Sequence, residues 1–128
     1  LQSTPQVPFR HLHALWFQIT GTLCNLECVH CFISCSPTND HLKFLDPDTV
    51  YRYLDEAIQL GVREIYFTGG EPFLHKQMLP ILDRALQVAP TTVLTNGTLI
   101  TPTVADALGT LQAASRYSLE IRISLDDV

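Results

Sequence analysis

Cys24, Cys28 and Cys31 lie within eight residues, in the run Cys24-Asn25-Leu26-Glu27-Cys28-Val29-His30-Cys31, with gaps of three residues and then two. That spacing brings three thiolates to one short loop, and thiolates are the ligands of iron–sulfur clusters. A cubane cluster has four irons, so three cysteines leave one iron without a protein ligand. An open metal position is where chemistry happens, as at a catalytic zinc. Two other readings draw on Cys35. With His30 and Cys35 the loop would have enough ligands for zinc, although structural zinc sites usually pair two short knuckles across a longer gap. With Cys35 as fourth ligand the gaps become three, two and three, giving a closed electron-carrier cluster, whereas bacterial ferredoxin runs begin with a two-residue gap.

The elements that must position this loop are legible from apolar runs and their punctuation. Four β-type runs are expected, at Leu15 to Thr20, Glu64 to Thr68, Thr92 to Thr95 and Leu119 to Leu125. Three helical patterns lie between them. Asp46 reads as an N-cap with Pro47 at the first helical position, then Val50, Leu54, Ala57 and Ile58 recur at helical spacing and Gly61 closes the helix. A second helix is expected from about Gln77 to Val88, with Pro80 in its first turn, where a missing N–H costs little. The third starts at Thr101-Pro102 and carries Val104, Leu108 and Leu111 on one stripe. Strands alternating with helices predict right-handed βαβ units and a parallel sheet.

In such a sheet the carboxyl ends of the strands share one face, and that face holds the active site. The cysteine loop, Gly69-Gly70-Glu71-Pro72, Thr95-Asn96-Gly97 and the pair Ser124 and Asp126 each follow a strand end. Parity places Leu119, Ile121, Ile123 and Leu125 on one side of the last strand and Glu120, Arg122 and Ser124 on the other. The apolar side should meet the helices. The polar side, with Gln18, Thr20, Tyr66 and Thr68, should line a cavity.

Composition narrows the classes. A chain of 128 residues, 46% hydrophobic, suits one domain with a real core. A net charge of −5 and the lack of a basic run give no bulk attraction for nucleic acid. No apolar stretch is long enough to span a bilayer, and Leu1 to Phe9 does not read as a signal peptide. The four cysteines crowd into one loop, which argues against a disulfide framework and for a metal centre in a reducing compartment, here expected to be the cytoplasm. Leu1 in place of Met, and an abrupt stop at Val128, suggest part of a longer protein.

Cys24-x-x-x-Cys28-x-x-Cys31 after a first strand, followed by Gly69-Gly70-Glu71-Pro72 after the second, resembles the radical S-adenosylmethionine (radical SAM) superfamily. The detail of Asn25-Leu26, His30 and Thr95-Asn96-Gly97 is similar to members that modify peptides and proteins or make cofactors. The resemblance implies an α/β fold, a partial (β/α) barrel truncated after its fourth parallel strand. Residues 1–14 would be a lead-in and 15–128 an incomplete core of three βα units and strand four. It implies that Cys24, Cys28 and Cys31 bind a 4Fe–4S cluster and that S-adenosylmethionine chelates the open iron. One electron from a flavodoxin- or ferredoxin-like donor would then release a 5′-deoxyadenosyl radical, which takes a hydrogen atom from an unidentified substrate.

By the same resemblance, backbone oxygens of Gly69 and Gly70, in the turn completed by Pro72, and the Glu71 carboxylate would accept from the cofactor's ammonium. His30 would lie by the adenine. Asn96 would contact the ligand, Ser124 would reach its carboxylate or ribose, and Asp126 would suit the ribose hydroxyls. The family often has glycine after that aspartate, where this chain has Asp127. Phe32 should pack under the loop. Cys35 reads as a free thiol or a substrate-side residue. His11, His13, His41 and His75 receive no role. With half the cavity wall beyond Val128, this stretch alone should turn over poorly or not at all.

Overall fold

The computed structural model describes residues 3–31 and 33–125. The expectations for Phe32, Asp126 and Asp127 therefore lie outside the described residues. The chain forms four strands, β1 (Ala14–Gln18), β2 (Glu64–Thr68), β3 (Thr91–Thr95) and β4 (Leu119–Ile123), and three helices, α1 (Pro47–Gln59), α2 (Met78–Ala85) and α3 (Pro102–Ala114). The sheet order is β1-β2-β3-β4 and every pairing is parallel. β1, β2 and β3 are each followed by a crossover helix before the next strand, as parallel pairing requires.

The register sorts residues onto two faces. Gln18 lies opposite Thr68, Tyr66 opposite Thr92 and Leu94 opposite Arg122. The helix-covered face carries Phe17, Ile19, Ile65, Phe67 and Val93, which form one core with Val50, Leu54 and Ala57 of α1, Ile81, Leu82 and Ala85 of α2, and Leu108 of α3. Phe17 and Phe67 stack there at 5.3 Å between ring centres. The opposite face is uncovered and mostly polar, with Trp16 stacked on Tyr66 at 4.2 Å. The parity expected of Gln18, Tyr66, Thr68, Glu120 and Arg122 holds: they share that face.

Several boundaries differ from expectation. β1 stops at Gln18 because Gly21 N–H donates back to Gln18 O, turning the chain. β4 ends at Ile123, and Ile123 and Leu125 are exposed at the sheet's edge, with no helix over them, while Leu119 and Ile121 pack on the core. α2 is shorter than predicted, Met78–Ala85, because Val88 N–H bonds to Ala85 O and tightens the last turn. Asp46 occupies the N-cap of α1 without a side-chain cap bond, whereas Thr101 caps α3 by accepting from Val104 N–H. Ile58, expected on the apolar stripe of α1, is exposed, as the stripe turns off the sheet at the helix end. No helix among the described residues is long and apolar enough to cross a membrane.

Candidate functional site

β1 runs into the cysteine loop through Gly21, whose φ of +59° is a left-handed conformation. A Cβ there would lie 2.0 Å from the Leu42 carbonyl oxygen, so the chain returning from the loop passes directly over it. The loop is braced from below. Cys24 N–H donates to Ser36 O at 3.1 Å and Ser36 N–H to Thr22 O at 3.2 Å. The Thr22 hydroxyl donates to Asn39 O at 3.0 Å and accepts from Leu42 N–H at 3.1 Å. Ser34 turns the chain with φ 55°, its carbonyl held by the Asn39 amide at 2.9 Å.

The turn after β2 docks on this stem. Gly70 N–H donates to Gly21 O at 2.9 Å and Glu71 N–H to Leu23 O at 3.1 Å. A Cβ on Gly70 would sit 1.8 Å from Leu23 O, so only glycine permits the approach. Pro72 then opens a short 3₁₀ turn, Pro72–Leu74, capped by the Glu71 side chain accepting from Phe73 N–H.

Cys24, Cys28 and Cys31 stand around one cavity of about 250 Å³. Gly69, Gly70, Asn96, Ser124 and His30 line it as well, with Cys35 and Leu26. Five of the sequence-predicted ligand-side residues are thus brought to the same hollow as the three cysteines. Glu71 and Pro72 stand behind the wall. The Glu71 side chain is fully buried, and its oxygens accept from Phe73 N–H (3.1 Å), the Thr95 hydroxyl (2.5 Å) and Asn96 N–H (2.8 Å). Asp126 lies outside the described residues.

The thiols are not equivalent. Cys24 is buried, which raises its pKa against the Leu26 N–H that opposes it, and the nearby Glu71 charge raises it further. For Cys31 burial also acts upward, but N–H groups of Cys35 and Ile33 and the Cys35 thiol outweigh it, and the net is downward. Cys35 is pushed up to about 12 by burial and by the neighbouring Cys31. Its Sγ lies 3.8 Å from Gly69 O, a donor contact that a protonated thiol can make. Among the described residues no group of three His, Cys, Asp or Glu side chains is placed to hold a single metal ion. The donor set fits a polynuclear cluster: three sulfurs spread around a hollow, two of them partly exposed, with N–H donors already aimed at Cys24 and Cys31.

Sequence reasoning missed four contributors. His75, given no role, is buried against the segment that leads from the loop into α1, its Nε2 2.7 Å from Leu45 O and its Nδ1 accepting from Gln77 N–H. Asn25 and Thr98 join Asn96 in a polar network, and Thr95 serves the Glu71 carboxylate. A Thr-Asn-Gly-Thr run after a strand is the one local signal that pointed toward this network.

A parallel α/β sheet with a three-cysteine loop and a glycine turn on its carboxyl rim defines a cluster-bearing partial barrel. The chain belongs to the Radical SAM superfamily, whose family model matches residues 19–127. Enzymes of this superfamily use a 4Fe–4S cluster and S-adenosylmethionine. The chain is 34% identical over 118 residues to the antilisterial bacteriocin subtilosin biosynthesis protein AlbA of Bacillus subtilis (strain 168), covering 91% of this chain and 25% of that protein. It is 34% identical over 98 residues to the GTP 3′,8-cyclase of Synechococcus sp. (strain CC9902), covering 73% and 27% respectively. Against the GTP 3′,8-cyclase of Heliobacterium modesticaldum (strain ATCC 51547 / Ice1) the figure is 30% over 95 residues, 71% and 29%. The chain therefore spans about a quarter of the length of the curated relatives it matches.

Proposed function

We propose that this chain is the cluster- and cofactor-binding part of a cytoplasmic radical SAM enzyme acting on a peptide, a protein or a cofactor precursor. The observation that carries the reading is the convergence of three thiols and three strand-end elements on one cavity. Cys24, Cys28 and Cys31 would hold the 4Fe–4S cluster. When bound, the cluster and S-adenosylmethionine supply a reductively released 5′-deoxyadenosyl radical for hydrogen abstraction, with the electron coming from a flavodoxin- or ferredoxin-like donor.

The chain's own residues do the rest. Gly69 and Gly70 would present backbone to the cofactor, and as glycines they let the turn pack directly on Thr20 and Leu23, which sets that backbone on the cavity wall. Glu71 and Pro72 fix that turn from behind, and the Glu71 charge favours a cationic ammonium nearby. His30, Asn96 and Ser124 line the same space, and Asp126, two positions after Ser124 in the sequence, would suit the ribose hydroxyls. The buried stem of the loop keeps water from the Cys24 side of the hollow. Protein binding, orientation and exclusion are what a fold contributes when a cofactor carries the hard step.

The test uses the full-length protein, reconstituted without oxygen, reduced and given S-adenosylmethionine. 5′-Deoxyadenosine is the expected product, and its absence from a protein with a loaded cluster would sink the reading. Cys35→Ala is expected to keep its iron and sulfide. Loss of the cluster in that variant would favour a closed four-cysteine carrier instead.

A further inference from the structure

The side chain of Asn96 has a job that its place on the cavity wall does not exhaust. Its Oδ1 accepts from Thr98 N–H at 3.0 Å and from the Thr98 hydroxyl at 2.7 Å. A backbone N–H can only donate, so this contact fixes which end of the amide is oxygen. Nδ2 must then point the other way, and there it meets Asn25 Oδ1 at 2.8 Å and Cys24 Sγ at 3.8 Å. Asn25 is held in turn, its own amide donating to Thr98 Oγ1 at 2.7 Å. The backbone of Asn96 is equally constrained, because its N–H donates to the buried Glu71 carboxylate at 2.8 Å. The contact crosses 72 residues of sequence, from the loop after β1 to the turn after β3.

We propose that Asn96 is a positioning residue for Cys24, donating an N–H to its sulfur, and that the buried Glu71 carboxylate holds Asn96 in place to do so. This rests on the reading of Cys24 as a cluster ligand. A donor to a ligating sulfur stabilises negative charge there. The reduced cluster carries one more electron than the oxidised one, so the bond favours reduction and raises the potential. Cys24 Sγ already takes one N–H, from Leu26 at 3.4 Å, so Asn96 supplies the second donor, and it comes from another element of the fold.

The measurement is an anaerobic potentiometric titration of the full-length, reconstituted protein without S-adenosylmethionine, read by the paramagnetic resonance of the reduced cluster. Iron and sulfide content are determined on the same samples. Asn96→Ala removes the donor, and Asn96→Asp puts a charged acceptor in its place. Both are expected to load the cluster and, losing a hydrogen bond to a charged group, to lower its reduction equilibrium roughly fivefold to tenfold, the aspartate variant more because it also adds negative charge beside the sulfur. Tenfold corresponds to about 59 mV for one electron. Potentials unchanged in both Asn96 variants with full clusters would overturn the inference and leave the functional reading standing. A wild-type protein that takes up no cluster would overturn both. If the alanine variant loads poorly, the isosteric aspartate variant decides by the same readout.

Discussion

Replacing Gly70 by alanine tests whether the glycine turn and the cysteine loop are one packed unit. A Cβ at this position would lie 1.8 Å from the Leu23 carbonyl oxygen and 2.8 Å from the Cys24 amide nitrogen, where ordinary contact begins at 3.4 Å. Both obstacles are backbone, so no rotamer relieves the clash. The turn must move away, and with it go the bonds from Gly70 N–H to Gly21 O and from Glu71 N–H to Leu23 O. Each bond is worth about 1 kcal/mol, and overpacking of this kind costs about 1–3 kcal/mol. The expected loss is about 3–5 kcal/mol, a large share of the roughly 5–15 kcal/mol that holds a domain folded. The displacement begins at the amide of Cys24, so cluster loading should fall with stability. Denaturant midpoints and iron content of the anaerobically purified protein measure both. A variant within about 0.5 kcal/mol of wild type, with full iron, would refute the argument, since that is the range of an inert surface change.

Gly109→Ala is the matching control: nothing lies within 4 Å of its would-be Cβ inside α3, so helix propensity should make it stabilising by about 0.5–1 kcal/mol in the same denaturation assay. Glu71→Ala leaves Phe73 N–H, the Thr95 hydroxyl and Asn96 N–H without their acceptor in a buried place, and thermal unfolding should show a loss of about 2–4 kcal/mol. Before reconstitution, iodoacetamide should modify Cys31 well ahead of Cys35 at about pH 8, because the thiolate is the reactive form, and mass spectrometry of peptides gives the order. Asp55→Ala removes only the exposed pair with Arg84 and should change stability by less than about 1 kcal/mol in the denaturant midpoint.

The strands and helices were legible where local chemistry is decisive. Pro47 and Pro102 start their helices as proline at a first turn should, and Glu64–Thr68 is a strand in both readings. Ile58 shows the limit: it keeps helical spacing with Val50 and Leu54, yet which residue of a stripe is covered depends on where the neighbouring sheet ends. His75 shows another, since nothing local announces that its ring will bridge Leu45 O and Gln77 N–H.

The sequence by itself determined the class of protein. Three cysteines in eight residues and a Gly-Gly-Glu-Pro turn are short-range facts, written in spacing and in backbone freedom, and no folding is needed to see them. Tertiary structure decided how the parts are used. Glu71 meets Thr95 and Asn96 across 24 and 25 residues because β2 and β3 pair in parallel and end side by side, which turns the acid of the motif inward. Asn96 reaches Cys24 across 72 residues because the loop after β1 and the turn after β3 leave the same rim of the sheet, on either side of β2. Cys35 sits four residues from Cys31, but burial beside Cys31 raises its thiol while N–H donors lower that of Cys31. Parallel pairing brings strand ends together regardless of their distance along the chain, and those contacts carry no signature in any local stretch of sequence.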